Sequence, residues 1–335
     1  MGKITTIRDV AKAAGVSSCT ASYALRGNPK VSVATTRKVR EVADRLGYRL
    51  ATPVSQWMRS LRMKSETFVG EKIYFVVNET TWKRNRFVRS YFKGGQERAE
   101  SHGYDLEPLV YDHREMNGRR LSEIIWARGI RGLVLGPLRP EVPAPELQWE
   151  KFAVAGFNLD DGAEMNRAAN DYFASAAEAM RRAYDRGYRR PGLAVYRGLD
   201  ESYAHSITAA YLRHGQLLDK TATVPPLLLD ESTFNLESFA KWFREYKPDC
   251  VIGVHCLLPF MRSLKLKIPA KVGYVSLNQT AASEPCAGLA HDFELMGATA
   301  VDLVLSQLNR NAVGPVERAM TVLLKPRWQD GPTLR

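Results

Sequence analysis

From Lys72 onward the sequence alternates short apolar runs with amphipathic stretches, and that alternation narrows the possible folds more than any other feature. KIYFVV, GIRGLVLG, KFAVAGFN, GLAVY, DCVIGVH and KVGYVSL read as buried strands, and a further strand follows Gly103-Tyr104. Between them, Phe87–Ser101, Ala174–Arg186 and Glu294–Leu308 read as helices. Repeated β-α units imply parallel sheets with right-handed crossovers. Roughly 260 residues of such units suit two doubly wound lobes better than one.

The first fifth of the chain follows a different grammar. Thr6 is placed to cap a helix with Asp9 at its third position, and Ile7, Val10, Ala11 and Ala14 share one face. Gly15 breaks that helix, and Ser17 is a good cap for a second helix carrying Thr20, Ala21, Ala24 and Leu25. A third helix starts near Ser32, turns Val39, Val42, Ala43 and Leu46 inward and stops at Gly47. Two helices joined by a tight turn and braced by a third make a helix-turn-helix. From Leu50 to Glu66 a basic stretch keeps Val54, Trp57, Met58 and Leu61 at helical spacing. A helix ordered only against DNA or a second copy would need such a stripe, and a plain linker would not.

Charge separates the same two regions. Residues 1–64 hold 13 Lys/Arg against 3 Asp/Glu, a net +10 of the chain's +12. A polyanion-binding head on a nearly neutral body explains this better than a diffusely basic enzyme. The start of the chain lacks the apolar core of a signal peptide, and no run of 18 apolar residues occurs, so a cytoplasmic protein without a membrane span is expected. Cys19, Cys250, Cys256 and Cys286 have no zinc spacing and read as free thiols, and no cofactor is expected.

The run TTIRDVAKAAGVSSCTASYALRGNPKVSVATTRKVREVADRLGYR, from Thr5, resembles the headpiece of the LacI/GalR (lac-repressor-type) family of transcriptional regulators. T-I-x-D-V-A, A-G-V-S, T-x-S, V-S-x-x-T-x-x-K-V and L-G-Y-R carry the likeness. DRGYRRPGLA extends it loosely into the body. The resemblance implies an all-α helix-turn-helix headpiece (1–50), a hinge helix (51–66) and a two-lobed α/β domain (68–335) of the type I periplasmic-binding-protein-like, doubly wound kind. Chain crossings near 160 and 290 would give lobe 1 about 70–160 and 290–318, and lobe 2 about 161–289 and 319–332. It also implies a homodimeric repressor on a pseudo-palindromic double-stranded DNA operator, answering to a small polar effector such as a sugar.

In such a motif the second helix enters the major groove, so Ser18, Cys19 and Tyr23 are expected at base edges. Thr6, Ser17, Thr20, Ser22 and Asn28 are placed for phosphates, and Arg26 and Lys30 complete the DNA-facing set. Most family members carry arginine where Tyr23 stands, in a T-V-S-R run. In the hinge, where a helix could start at Pro53, Val54 belongs to the apolar stripe and Trp57 or Met58 would enter the minor groove, where relatives usually have leucine. The alternative is that both pack on the partner's hinge. For the effector the resemblance points to Asn170 and Asp171, to His205, to His255, to Asn278 and to His291 and Asp292. No arginine occurs across Glu201–His205, and Asn278 stands where aspartate is common. Each of these is equally placed to be a structural hydrogen-bonding group. An enzyme is not expected, since the chain lacks G-x-G-x-x-G after a strand, a P-loop, a G-x-S-x-G elbow and H-E-x-x-H. A purely architectural DNA binder is the remaining competitor.

Overall fold

The computed structural model describes residues 7–25, 31–46, 71–85, 87–112, 117–137, 146–159, 164–218, 224–254, 257–279 and 284–335. The chain divides into two compact units, Met1–Val69 and Gly70–Arg335.

In the first unit α1 (Ile7–Ala14), α2 (Ser18–Leu25) and α3 (Val33–Arg45) follow the expected order. α1 stops where Gly15 takes φ +67°, a conformation that costs a residue with a Cβ. The Val16 N–H then donates to the Ala11 carbonyl at 3.0 Å, satisfying a helix-end acceptor. α2 starts because the Thr20 N–H donates to Ser17 Oγ at 3.0 Å. Ser32 Oγ accepts the Thr35 N–H at 3.2 Å and starts α3 in the same way. The shared core is small-residue packing: Val10, Ala11, Ala14, Ala21, Ala24, Val39, Val42 and Ala43. Leu46, expected inward, lies one residue past α3 and is exposed.

The second unit begins β1 (Glu71–Asn78), α4 (Glu79–Arg84), α5 (Val88–Ser101), β2 (Tyr104–Tyr111), α6 (Gly118–Ala127), β3 (Gly132–Leu135), β4 (Ala153–Phe157) and β5 (Asn166–Asn170). It continues with α7 (Tyr172–Asp185), β6 (Pro191–Tyr196), α8 (Arg197–Glu201), α9 (Ser206–Leu218), β7 (Leu227–Leu229), α10 (Leu236–Tyr246) and β8 (Cys250–Gly253). The last elements are α11 (Leu257–Ser263), β9 (Gly273–Gln279), β10 (Gly288–Ala290), α12 (Phe293–Asn309), β11 (Thr321–Leu324) and β12 (Arg327–Gln329). They form two six-stranded sheets, ordered β11-β5-β4-β3-β1-β2 and β12-β10-β9-β8-β6-β7. All neighbours are parallel except the antiparallel pair β10–β12.

Both faces of each sheet are covered, which is why the strands read as unbroken apolar runs. In the first sheet Ile73, Phe75 and Val77 pack toward α5 and α12, while Tyr74 and Val76 pack toward α6. In the second, Leu193 and Val195 meet α7 and α9, and Ala194 meets α10 and α11.

Strand pairing corrects the expected lobe boundaries. β5 pairs with β4 and β11 pairs with β5, so residues 166–170 and 321–324 complete the first sheet rather than the second. The chain therefore passes between lobes at Asn170–Tyr172, at Ala290–Phe293 and at Leu324–Arg327. The first passage lies later than the expected 160 because β5 (NRAAN), polar yet wholly buried and without a strand-like signal, extends the first sheet.

α5 and α12 pack with almost no space between their backbones. A Cβ on Gly94 would run into the Glu294 carbonyl, and one on Gly297 into the Tyr91 carbonyl. Lys93 Nζ meets Glu294 Oε1 at 2.9 Å, and Arg98 pairs with Asp302 along the same seam.

Candidate nucleic-acid interface and candidate effector cleft

In the first unit α2 divides cleanly by face. Ala21 and Ala24 are fully buried, whereas Ser18 and Cys19 are exposed and Tyr23 is 41% exposed. Cys19 and Tyr23 are four residues apart, so they lie on one stripe together with Ser18. α2 carries no charge; basic groups flank it, with Arg8 and Lys12 exposed on α1 and Arg37, Lys38 and Arg40 exposed on α3. An uncharged stripe of short polar groups and one tyrosine can approach base edges, while surrounding cations attract the phosphates. Ser17 and Thr20 are already engaged with each other, Oγ to Oγ1 at 2.8 Å, and Ser17 caps α2. Of the other expected residues, Thr6, Arg26, Asn28, Lys30, Val54, Trp57, Met58 and His255 lie outside the described residues, as does the side chain of Ser22.

In the second unit the crossings bring Asn170, Asp171, His291 and Asp292 to the carboxyl ends of the parallel strands, where ligands bind in open α/β sheets. The Asp171 N–H donates to the Leu324 carbonyl at 2.9 Å, tying the first crossing to the third. The two aspartates are helix caps: Asp171 Oδ1 accepts the Ala174 N–H and Asp292 Oδ1 accepts the Leu295 N–H, each at 2.8 Å. Those carboxylates are committed to starting α7 and α12.

Asn170 and His291 behave differently. Asn170 is 1% exposed, and its side chain and backbone hydrogen-bond with the Tyr203 hydroxyl. His291 is 9% exposed, with Nε2 2.9 Å from the Leu277 carbonyl. A carbonyl only accepts, so Nε2 carries the proton and Nδ1, buried and unpartnered, presents a lone pair. Burial pushes the imidazole down to about 4, opposed by the Leu277 hydrogen bond and the Asp171 charge. The ring is neutral at neutral pH.

Around these groups stands an aromatic wall. Tyr172 lies 4.8 Å from the His291 ring and edge-on to Tyr203 at 4.5 Å. Tyr91 stacks on Phe157 at 4.7 Å and approaches Phe293 at 5.7 Å. Burial raises the Tyr91, Tyr172 and Tyr203 hydroxyls, and Tyr203 faces Asn170.

Asn278 is 6% exposed in β9, with its N–H 3.4 Å from Ser276 Oγ. His205 does not join this group: its side chain is 71% exposed, with Nδ1 3.5 Å from the buried Asp200. The loop delivers Tyr203 inward instead. Tyr91, Tyr172 and Tyr203 were not among the expected site residues; of the three, Tyr172 alone stands at a strand–helix junction, that of β5 and α7, where a signal was available.

Residues 6–50 match the family model described as bacterial regulatory proteins, lacI family. The HTH-type transcriptional regulator KdgR of Bacillus subtilis is 24% identical over 332 residues, 93% of this chain and 93% of that protein. Catabolite control protein A of Streptococcus mutans is 44% identical over 129 residues, 38% of this chain and 35% of that protein. The solved complex of the transcriptional regulator CelR with cellobiose superimposes with a TM-score of 0.63 over 98% of this chain and 100% of that one, at 17% identity. The lac repressor dimer bound to operator and the anti-inducer ONPF gives 0.57 over 99% of each chain, also at 17% identity. At such identity the likeness is one of fold. Among the described residues no helix is long and apolar enough to cross a membrane.

Proposed function

We propose that the chain is a helix-turn-helix transcriptional regulator of the LacI type that represses transcription as a homodimer on a pseudo-palindromic operator, under control of a small polar effector. The observation that carries the reading is the uncharged outer stripe of α2, with Ser18, Cys19 and Tyr23 exposed between basic helices. One such helix reads only a few base pairs, and two related by a dyad reach useful specificity. In this reading Thr6, Ser17, Thr20, Ser22 and Asn28 serve phosphates, and Arg26 and Lys30 add positive charge. Trp57 or Met58, on the apolar stripe with Val54, enters the minor groove, so that bending couples the head to the body. The effector takes its place between the lobes, against Asn170, Asn278 and His291, with Asp171 and Asp292 holding the helices that frame it. His255 is the remaining candidate for the effector. The buried Nδ1 of His291, unpartnered among the described residues, favours this sensor over a body that only dimerises, since a scaffold has no use for an unsatisfied buried polar group.

The test is selection of bound sequences from random DNA with the full chain. An inverted repeat should emerge, and a fragment starting at residue 68 should not bind it. Specific binding by that fragment would remove the headpiece assignment.

A further inference from the structure

We propose that the amino-terminal end of the second sheet is a second DNA-binding surface of this protein, one that holds the phosphate backbone of a duplex without reading its sequence.

β6, β8 and β9 run parallel, with Pro191 beside Cys250 and Cys250 beside Gly273, so the segments that precede them emerge at one end of the lobe. Those segments carry Arg189 and Arg190, then Lys247, then Lys265, Lys267 and Lys271, and all six are exposed. Hydrogen bonds hold the three segments together. The Asp249 N–H donates to the Arg190 carbonyl at 3.1 Å and the Gly273 N–H to the Asp249 carbonyl at 2.9 Å. The Tyr188 hydroxyl donates to the Pro269 carbonyl at 3.3 Å. The crossings join the carboxyl ends of the two sheets, so this end lies on the far side of the second lobe from the candidate cleft.

The acids around these cations are already engaged. Arg186 holds Asp330 and Arg181 holds Asp185, each at 2.8 Å, and Arg262 holds Glu284. Glu245 shares a hydrogen bond with the Tyr246 hydroxyl. Asp249 accepts the backbone N–H groups of Arg189 and Arg190, at 2.7 and 2.9 Å. The two arginine side chains donate instead to carbonyls, Arg189 Nη1 to Tyr184 and Tyr188 and Arg190 Nη2 to Tyr246. A neutral carbonyl fixes a guanidinium without cancelling its charge, and the remaining N–H groups stay available to a phosphate. Six cations against the carboxylates of Asp249 and Glu245 leave an excess of four positive charges, 6 − 2.

The surroundings of the cations select the partner. Among the described residues, no exposed large apolar side chain falls in 184–190, 246–249 or 265–271. A lipid surface would use such groups to insert, and a protein interface would use them as its core. A single strand would stack its bases on open aromatic faces. Here Tyr188 is buried, and the Arg189 guanidinium lies 5.6 Å from the centre of the Tyr184 ring. A duplex backbone requires only closely spaced positive charge.

For the test, the full chain is immobilised on operator duplex, so that its headpieces are occupied, and then offered a labelled duplex of unrelated sequence. The second duplex should be retained at 50 mM salt. Its affinity should fall about a hundredfold by 200 mM, since neutralising about four phosphates gives a salt slope of roughly −3.6. Lys267→Glu combined with Lys271→Glu should abolish that retention and leave operator affinity unchanged, because both lysines lie in the second unit. No retention at 50 mM, or equal retention by the charge-reversed chain, overturns the proposal. Tighter binding of phosphatidylserine vesicles or of poly-glutamate than of the duplex, at equal anionic charge, overturns it as well.

Discussion

At the scale of single residues, Tyr23 departs most clearly from the family pattern. Arginine can grip a guanine edge with two parallel hydrogen bonds, worth about 1–3 kcal/mol of discrimination, and one phenol cannot. Tyr23 is exposed on the same stripe as Ser18 and Cys19. Tyr23→Arg should therefore raise guanine preference at one symmetric pair of operator positions, and a base-by-base affinity scan reads this directly. An unchanged base profile would mean that Tyr23 faces a phosphate. His291 makes a prediction about pH. Its folded value of about 4 lies below the ordinary 6.5, so the unfolded chain takes up the proton first as pH falls. Stability from the neutral ring is complete above about pH 6.5 and lost as pH falls toward about 4, by on the order of 3 kcal/mol. His291→Gln should flatten this part of the stability–pH curve, measured by urea unfolding at a series of pH values.

At the scale of elements, what the sequence made legible follows where a local signal exists. Gly15, Ser17 and Ser32 are punctuation that works without distant partners, so the three headpiece helices fall where expected. KIYFVV and KVGYVSL are buried on both faces and announce themselves as strands. β5 does not, because Asn166 and Arg167 are buried through tertiary context: Asn166 Oδ1 accepts the Met320 N–H, 154 residues away. That one strand displaced the expected boundary. The candidate cleft shows the same division, since Asn170 and His291 were visible as polar residues at strand ends, but the inward turn of Tyr203 was not. It depends on the loop in which Ala204 and His205 both adopt left-handed backbone, at φ +51° and +57°. Element packing gives a further prediction. Gly297→Ala places a methyl group against the Tyr91 carbonyl and should cost about 3 kcal/mol, read as a lowered denaturation midpoint with an unchanged slope.

At the scale of the whole molecule, segregation of charge dictates how DNA affinity should respond to salt. Residues 1–64 carry +10 and the remainder about +2. If six to ten phosphates are neutralised, affinity should fall by roughly 10³–10⁵ between 50 and 200 mM salt. The plot of log K against log salt for the full chain measures that slope, and a flat dependence would place the binding energy elsewhere.

The glycine seam between α5 and α12 has a mechanical meaning. α12 starts one residue after Asp292, at the second passage between the lobes, and leans on α5 backbone to backbone. Two rods meshed this closely have no slack, so a rotation applied at the passage cannot be taken up by side chains rearranging between them. It must reappear, undiminished, on the outward side of α5. The seam is thus a stiff transmission shaft, and replacing its glycines would alter the gearing of the domain as well as its stability.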